Sequence, residues 1–72
     1  MEKFNIRTYS KKELALLYFP DSNPDAAVKH LMNWVKRCTS LMLELRSRHY
    51  VPTNKSFTSH QVAAIVDFLG EP

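Results

Sequence analysis

Tyr9-Ser10-Lys11-Lys12-Glu13-Leu14 and Phe57-Thr58-Ser59-His60-Gln61-Val62 follow one grammar: aromatic, hydroxyl, two spacers, Glu or Gln, aliphatic. Each reads as a capping box with a hydrophobic staple. The hydroxyl accepts a hydrogen bond from a backbone N–H that a helix start leaves without a partner. The Glu or Gln reaches back to the cap residue's own N–H. The aromatic ahead of the cap packs on the aliphatic after it and sets the angle at which the chain enters the helix. Helix starts are thereby marked at Ser10 and Thr58, and the other elements are read outward from them.

Ahead of Ser10, residues Lys3 to Tyr9 alternate. Phe4, Ile6 and Thr8 fall on one side, Asn5 and Arg7 on the other, as in a short strand or extended arm. After Ser10, Leu14, Leu17 and Tyr18 make the buried stripe of a first helix. Phe19-Pro20 ends it, because the residue before a proline avoids the α region. Asp21-Ser22-Asn23-Pro24-Asp25 is turn chemistry leading into a second helix. Ser22 or Asn23 caps it, Pro24 suits its first turn, and Asp25 complements the positive end of the helix dipole. That helix runs to about Arg37, with Ala27, Val28, Leu31, Trp34, Val35 and Cys38 on an apolar face and Lys29, His30, Asn33, Lys36 and Arg37 on the other. Core packing is the expectation for Trp34. Thr39 or Ser40 starts a third, shorter helix through about Ser47, with Leu41, Met42 and Leu45 inward. Tyr50 to Phe57 brackets a polar turn with two apolar ends, as a small hairpin or ordered loop with Lys55 near its tip. A fourth helix from Thr58 buries Val62, Ile65, Val66 and Leu69 and stops at Gly70.

Composition narrows the function classes. Seventy-two residues at 44% hydrophobic content make one domain, 1–72, with a small core that uses nearly every apolar residue. No stretch has the length of a signal peptide or a membrane span, and the one cysteine, Cys38, cannot pair internally. Both features point to the cytoplasm and away from a membrane. No carboxylate pairs with a histidine or a second carboxylate at a spacing for acid–base work. Gly70 is the one glycine, so no glycine-rich loop cradles phosphate. Cys38, His30, His49 and His60 lack zinc-site spacing. The expectation is a protein that is not an enzyme and has no metal and no cofactor.

A binding surface remains. The net charge of +3 is a mild basic bias whose meaning depends on placement. On the second helix Lys29, Asn33 and Lys36 stack at i, i+4 and i+7, with His30 and Arg37 beside them. Asn bonds adenine at two atoms, Arg or Lys bonds guanine, and other cations take phosphates. Arg46, Arg48, His49 and Lys55 lie on the exits and loop that follow. A solvated helix face is the alternative reading of the same charges.

The order of elements is that of a helix-turn-helix or winged helix. Tyr9-Ser10-Lys11-Lys12-Glu13-Leu14-Ala15 resembles the Y-[ST]-x-x-E-L-A start of MerR-like and excisionase-like winged helices. The segments Tyr50 to Phe57 and Thr58 to Leu69 resemble their wing and closing helix. The resemblance implies that Asp25 to Arg37 is a recognition element and Arg48 to Lys55 a wing. In this chain the connection from Tyr18 to Asp25 is longer and richer in proline than their tight turn. Lys55-Ser56 stands where they tend to carry Arg. Nearly the whole chain is also similar to a family of short proteins from gut commensal bacteria catalogued as a domain of unknown function. Glu13-Leu14-Ala15-Leu16-Leu17-Tyr18-Phe19-Pro20 and Ser56-Phe57-Thr58 carry that likeness, which implies a domain that stands alone.

The combined expectation is a mostly α, four-helix domain of helix-turn-helix or winged-helix type, with at most a short N-terminal strand and a small hairpin. Its expected function is duplex DNA binding as a small regulator or architectural factor; DNA readers this small often act as dimers, because one module gives limited affinity. The expected site comprises Lys11, Lys12, Lys36, Arg37, Arg46, Arg48 and Lys55 on phosphates, with base contact from Lys29, His30 and Asn33. The rival is a protein-interaction module of similar fold that uses Tyr18, Phe19, Leu43 and Phe68.

Overall fold

The computed structural model describes residues 4–51 and 53–72. Strand β1 (Tyr9–Ser10) leads into helix α1 (Lys11–Tyr18). Helices α2 (Pro24–Arg37) and α3 (Thr39–Ser47) follow, then strand β2 (Ser56–Phe57) and helix α4 (Ser59–Leu69). The domain is mostly helical, as expected.

Both capping boxes form. Ser10 Oγ accepts from the Glu13 N–H at 3.0 Å, and the Glu13 carboxylate accepts from the Ser10 N–H at 3.2 Å. Thr58 Oγ1 accepts from the Gln61 N–H at 3.3 Å, and Gln61 Oε1 accepts from the Thr58 N–H at 3.1 Å. The strands just ahead of the two caps pair antiparallel, Tyr9 opposite Phe57 and Ser10 opposite Ser56. The Lys11 N–H extends the ladder to the Lys55 carbonyl at 2.9 Å. One two-stranded unit thus ties the two helix starts together. Among its described residues the Tyr50–Phe57 segment, expected as a small hairpin or ordered loop, does not pair with itself; it supplies the single strand β2, whose partner is β1.

The core lies beneath this ladder. Tyr9, Leu14, Leu31, Val35, Leu41, Leu45, Tyr50, Phe57, Val62 and Ile65 are buried in one cluster. Tyr50 stacks on Phe57 with ring centroids 5.4 Å apart. Among the described residues the Tyr50 hydroxyl is a buried polar group without a hydrogen-bond partner. Asn23 caps α2, its side chain accepting from the Ala26 N–H at 2.8 Å, with Pro24 in the first turn as anticipated.

Three expectations need correction. The alternation from Phe4 to Thr8 does not make a strand, and Ile6 and Thr8 are exposed; Lys3 lies outside the described residues. Because β2 offers only two residues, pairing stops at Tyr9 and the segment ahead folds around the Tyr9 ring instead. Phe4 stacks on that ring at 5.5 Å, the Arg7 guanidinium lies 3.9 Å from its centroid, and the Tyr9 hydroxyl donates to the Asn5 carbonyl at 2.8 Å. Second, Leu17 is exposed and Ala15 takes its place beside Leu14 in the core. Third, Trp34 is 42% exposed. The buried stripe of α2 is the narrow row Ala27, Leu31 and Val35, so Trp34 sits at its margin, over the C-terminal end of α1.

Candidate nucleic-acid interface

The ladder decides where the basic residues go. It holds the N-terminus of α1 against the loop ahead of β2, so Lys11, Lys12 and Lys55, far apart in sequence, line one cavity of about 530 Å³. Thr53 and Asn54 share its rim, and Val28 of α2 forms part of its wall. Lys11 is fixed there by more than its backbone. Its ammonium lies 5.1 Å from the Tyr50 ring centroid and 5.9 Å from that of Phe57, within cation–π range. Lys12 reaches Asp25 at 3.9 Å, with both side chains well exposed.

Helix geometry places the remaining candidates. Successive residues turn by about 100° around an α-helix. With Leu31 pointing to the core, Lys29 and Lys36 lie beyond Val28 and Met32 on the flank nearest the Lys11–Lys12–Lys55 cavity. His30 and Arg37 lie on the opposite flank, next to Trp34, where they line a second, shallow cavity of about 270 Å³. Asn33 points away from the core, between the flanks, and borders that second cavity. Lys29, His30, Asn33, Lys36 and Arg37 are all exposed. Among the described residues Lys29, Lys36, Arg37, Arg46 and Lys55 make no ion pair.

Arg48 does not join them. Its Nε and Nη2 donate to the Glu44 carboxylate at 3.1 and 2.8 Å, and its Nη1 donates to the His60 carbonyl at 2.6 Å. The Arg48 carbonyl in turn accepts from Gln61 Nε2 at 2.9 Å. This arginine stitches the end of α3 to the start of α4, and its donors are committed to the fold. Arg46 is exposed in the last turn of α3, outside both cavities.

The sequence singled out the cations but not their walls. Val28, Thr53 and Asn54 carry no motif, and the signal that could have gathered them was the matched pair of staples, whose aromatics face each other across the ladder. Among the described residues no group of three or more His, Cys, Asp or Glu is placed to hold a metal ion. Among the described residues no helix is long and apolar enough to cross a membrane.

The chain matches a family described as a domain of unknown function, DUF4248, over residues 5–72, and it belongs to that family. No curated protein and no solved structure matches it.

Proposed function

We propose that this member of the DUF4248 family binds duplex DNA, with α2 as the reading element and the Thr53–Lys55 loop as a flanking phosphate contact. The observation that carries the reading is the gathering of Lys11, Lys12 and Lys55 around a cavity walled by Val28, with Lys29 and Lys36 on the adjoining flank of the same helix. In this reading α1 and α2 act as a helix-turn-helix pair. Ammonium groups from α1, α2 and the loop neutralise neighbouring phosphates, and each contact releases condensed counterions. The Lys12–Asp25 pair is exposed and long, so it is worth little and yields to a phosphate. Asn33, on the outermost line of α2, is the candidate for a two-atom contact to adenine, and Lys29 for a contact to guanine. Arg48 is left out, because transfer to a phosphate would strip Glu44 and the His60 carbonyl of their donors.

Binding of the full chain to a pool of mixed-sequence duplexes at low salt tests this reading. Micromolar or tighter affinity is expected, the upper end of what sequence-independent contacts supply (~10⁻⁴ to 10⁻⁶ M). Lys29→Ala combined with Asn33→Ala is expected to flatten the sequence preference selected from the pool. Absence of binding to any duplex at low salt overturns the proposal. Unchanged preference in the double variant removes α2 as the reader.

A further inference from the structure

The flank of α2 turned away from Lys29 and Lys36 carries a different surface, and it is aromatic. Trp34 is 42% exposed, yet two other rings pack against it. Tyr18 meets it edge-on at 5.9 Å and 82°, and Phe19 meets it at 5.9 Å and 57°. Phe19 lies 5.5 Å from His30 at 45°. Asn33 and Arg37 complete a cavity of about 270 Å³. Tryptophan and arginine are the residues most enriched where binding energy concentrates, and a ring gripped from behind loses little entropy on contact.

Three observations define the occupant. The cavity falls below the roughly 300–1,000 Å³ of small-molecule sites and suits one inserted side chain. Its apolar side is built of Phe19, His30 and Trp34, mutually packed at 45° and 57° rather than coplanar, so it presents a contoured surface for a branched or aryl side chain instead of a flat stacking platform for a base. Among the described residues none that is acidic lines it and Arg37 makes no ion pair, so the complement is a carboxylate. A second copy of the chain is a poor fit, because a twofold pairing of this face with itself offers Arg37 no carboxylate among the residues that line it. We infer that the Phe19–His30–Trp34–Arg37 face docks an acidic segment of another protein, with one apolar side chain in the cavity and a flanking carboxylate on Arg37. The site shares only Asn33, at its border, with the proposed DNA surface, and its anchoring residues Phe19, His30, Trp34 and Arg37 take no part in that reading.

Trp34 is the chain's single tryptophan, so its emission reports on this site alone. The experiment pans a random-peptide display library against the full chain, then titrates the enriched peptides while following Trp34 fluorescence. Enriched peptides are expected to carry an apolar residue with Asp or Glu beside it and to shift the emission. Arg37→Glu, an exposed change that spares the core, is expected to weaken them about tenfold. Lys29→Ala with Lys55→Ala is expected to leave them unchanged, which separates failure here from failure of the DNA reading. The inference is overturned if no enriched peptide moves Trp34 emission or depends on Arg37. It is equally overturned if single-stranded oligothymidylate moves the emission where peptides do not, or if Trp34→Ala dissolves a dimer of the chain.

Discussion

His49 adopts φ +67°, the one non-glycine residue with positive φ among those described. It closes α3 in a Schellman arrangement: the His49 N–H donates to the Arg46 carbonyl at 3.1 Å and the Tyr50 N–H to the Leu45 carbonyl at 3.0 Å. A left-handed residue with a Cβ costs about 1–2 kcal/mol, and glycine loses about 0.5–1 kcal/mol in chain entropy. His49→Gly is therefore expected to raise unfolding stability by about 0.5–1 kcal/mol, and His49→Val to lower it by at least about 1 kcal/mol, measured by urea denaturation. The sequence hid this turn because no glycine marks it. It also hid the role of Arg48, which appears as one more cation until the turn sets it beneath α4. Arg48→Ala is expected to cost about 1–2 kcal/mol of stability and to leave the salt dependence of DNA binding unchanged. Tyr18 gives a pH signature. Its hydroxyl donates to the Gly70 carbonyl at 2.5 Å, and its pKa is pushed from 10.0 up to about 12, first by burial and then by the Glu71 carboxylate. A folded-state pKa above the unfolded one means that the proton is held more tightly in the fold. The contribution is complete below about pH 10 and is lost as pH rises toward about 12. A phenolate titration of the folded chain is expected to show a late phase near pH 12 that Tyr18→Phe removes, along with its share of the alkaline loss of stability.

At the scale of elements, the helix starts were legible and their partnership was not. Capping is local, so Ser10-x-x-Glu13 and Thr58-x-x-Gln61 show in the chain what they do in the fold. Pairing of Tyr9 with Phe57 joins opposite ends of the sequence, and two-residue strands leave no alternation to detect. The boundaries of α2 and α3 were readable from Asn23-Pro24 and from the apolar spacing, but burial was not. α1 is short, so it covers only part of the apolar face of α2 and leaves Trp34 and Leu17 at the edge. Ser10→Ala and Thr58→Ala are each expected to destabilise the fold by about 1 kcal/mol in chemical denaturation. Because one ladder carries both caps, the double variant is expected to depart from the sum by at least about 0.5 kcal/mol. Strict additivity would mean that the two helix starts are independent.

Over the whole molecule, a net charge of +3 says little until its placement is known. The fold sorts α2 into two flanks: lysines on the side of the Lys11–Lys12–Lys55 cavity, and Trp34 with His30 and Arg37 on the other side. The sequence exposed the candidate residues because lysine and asparagine recur at helical spacing. It could not show which cations converge, because that depends on the ladder, nor that Arg48 is spent on structure. The central claim is that lysines from α1, α2 and the loop ahead of β2 form one surface for a polyanion. Its most direct measurement is the slope of log affinity for duplex DNA against log salt, taken for the unaltered chain and for Lys12→Ala, Lys29→Ala and Lys55→Ala. About five phosphate contacts predict a slope of roughly −4.5, and each substitution is predicted to reduce its magnitude by about 1. A slope near zero, or one that none of the three substitutions changes, would contradict the account.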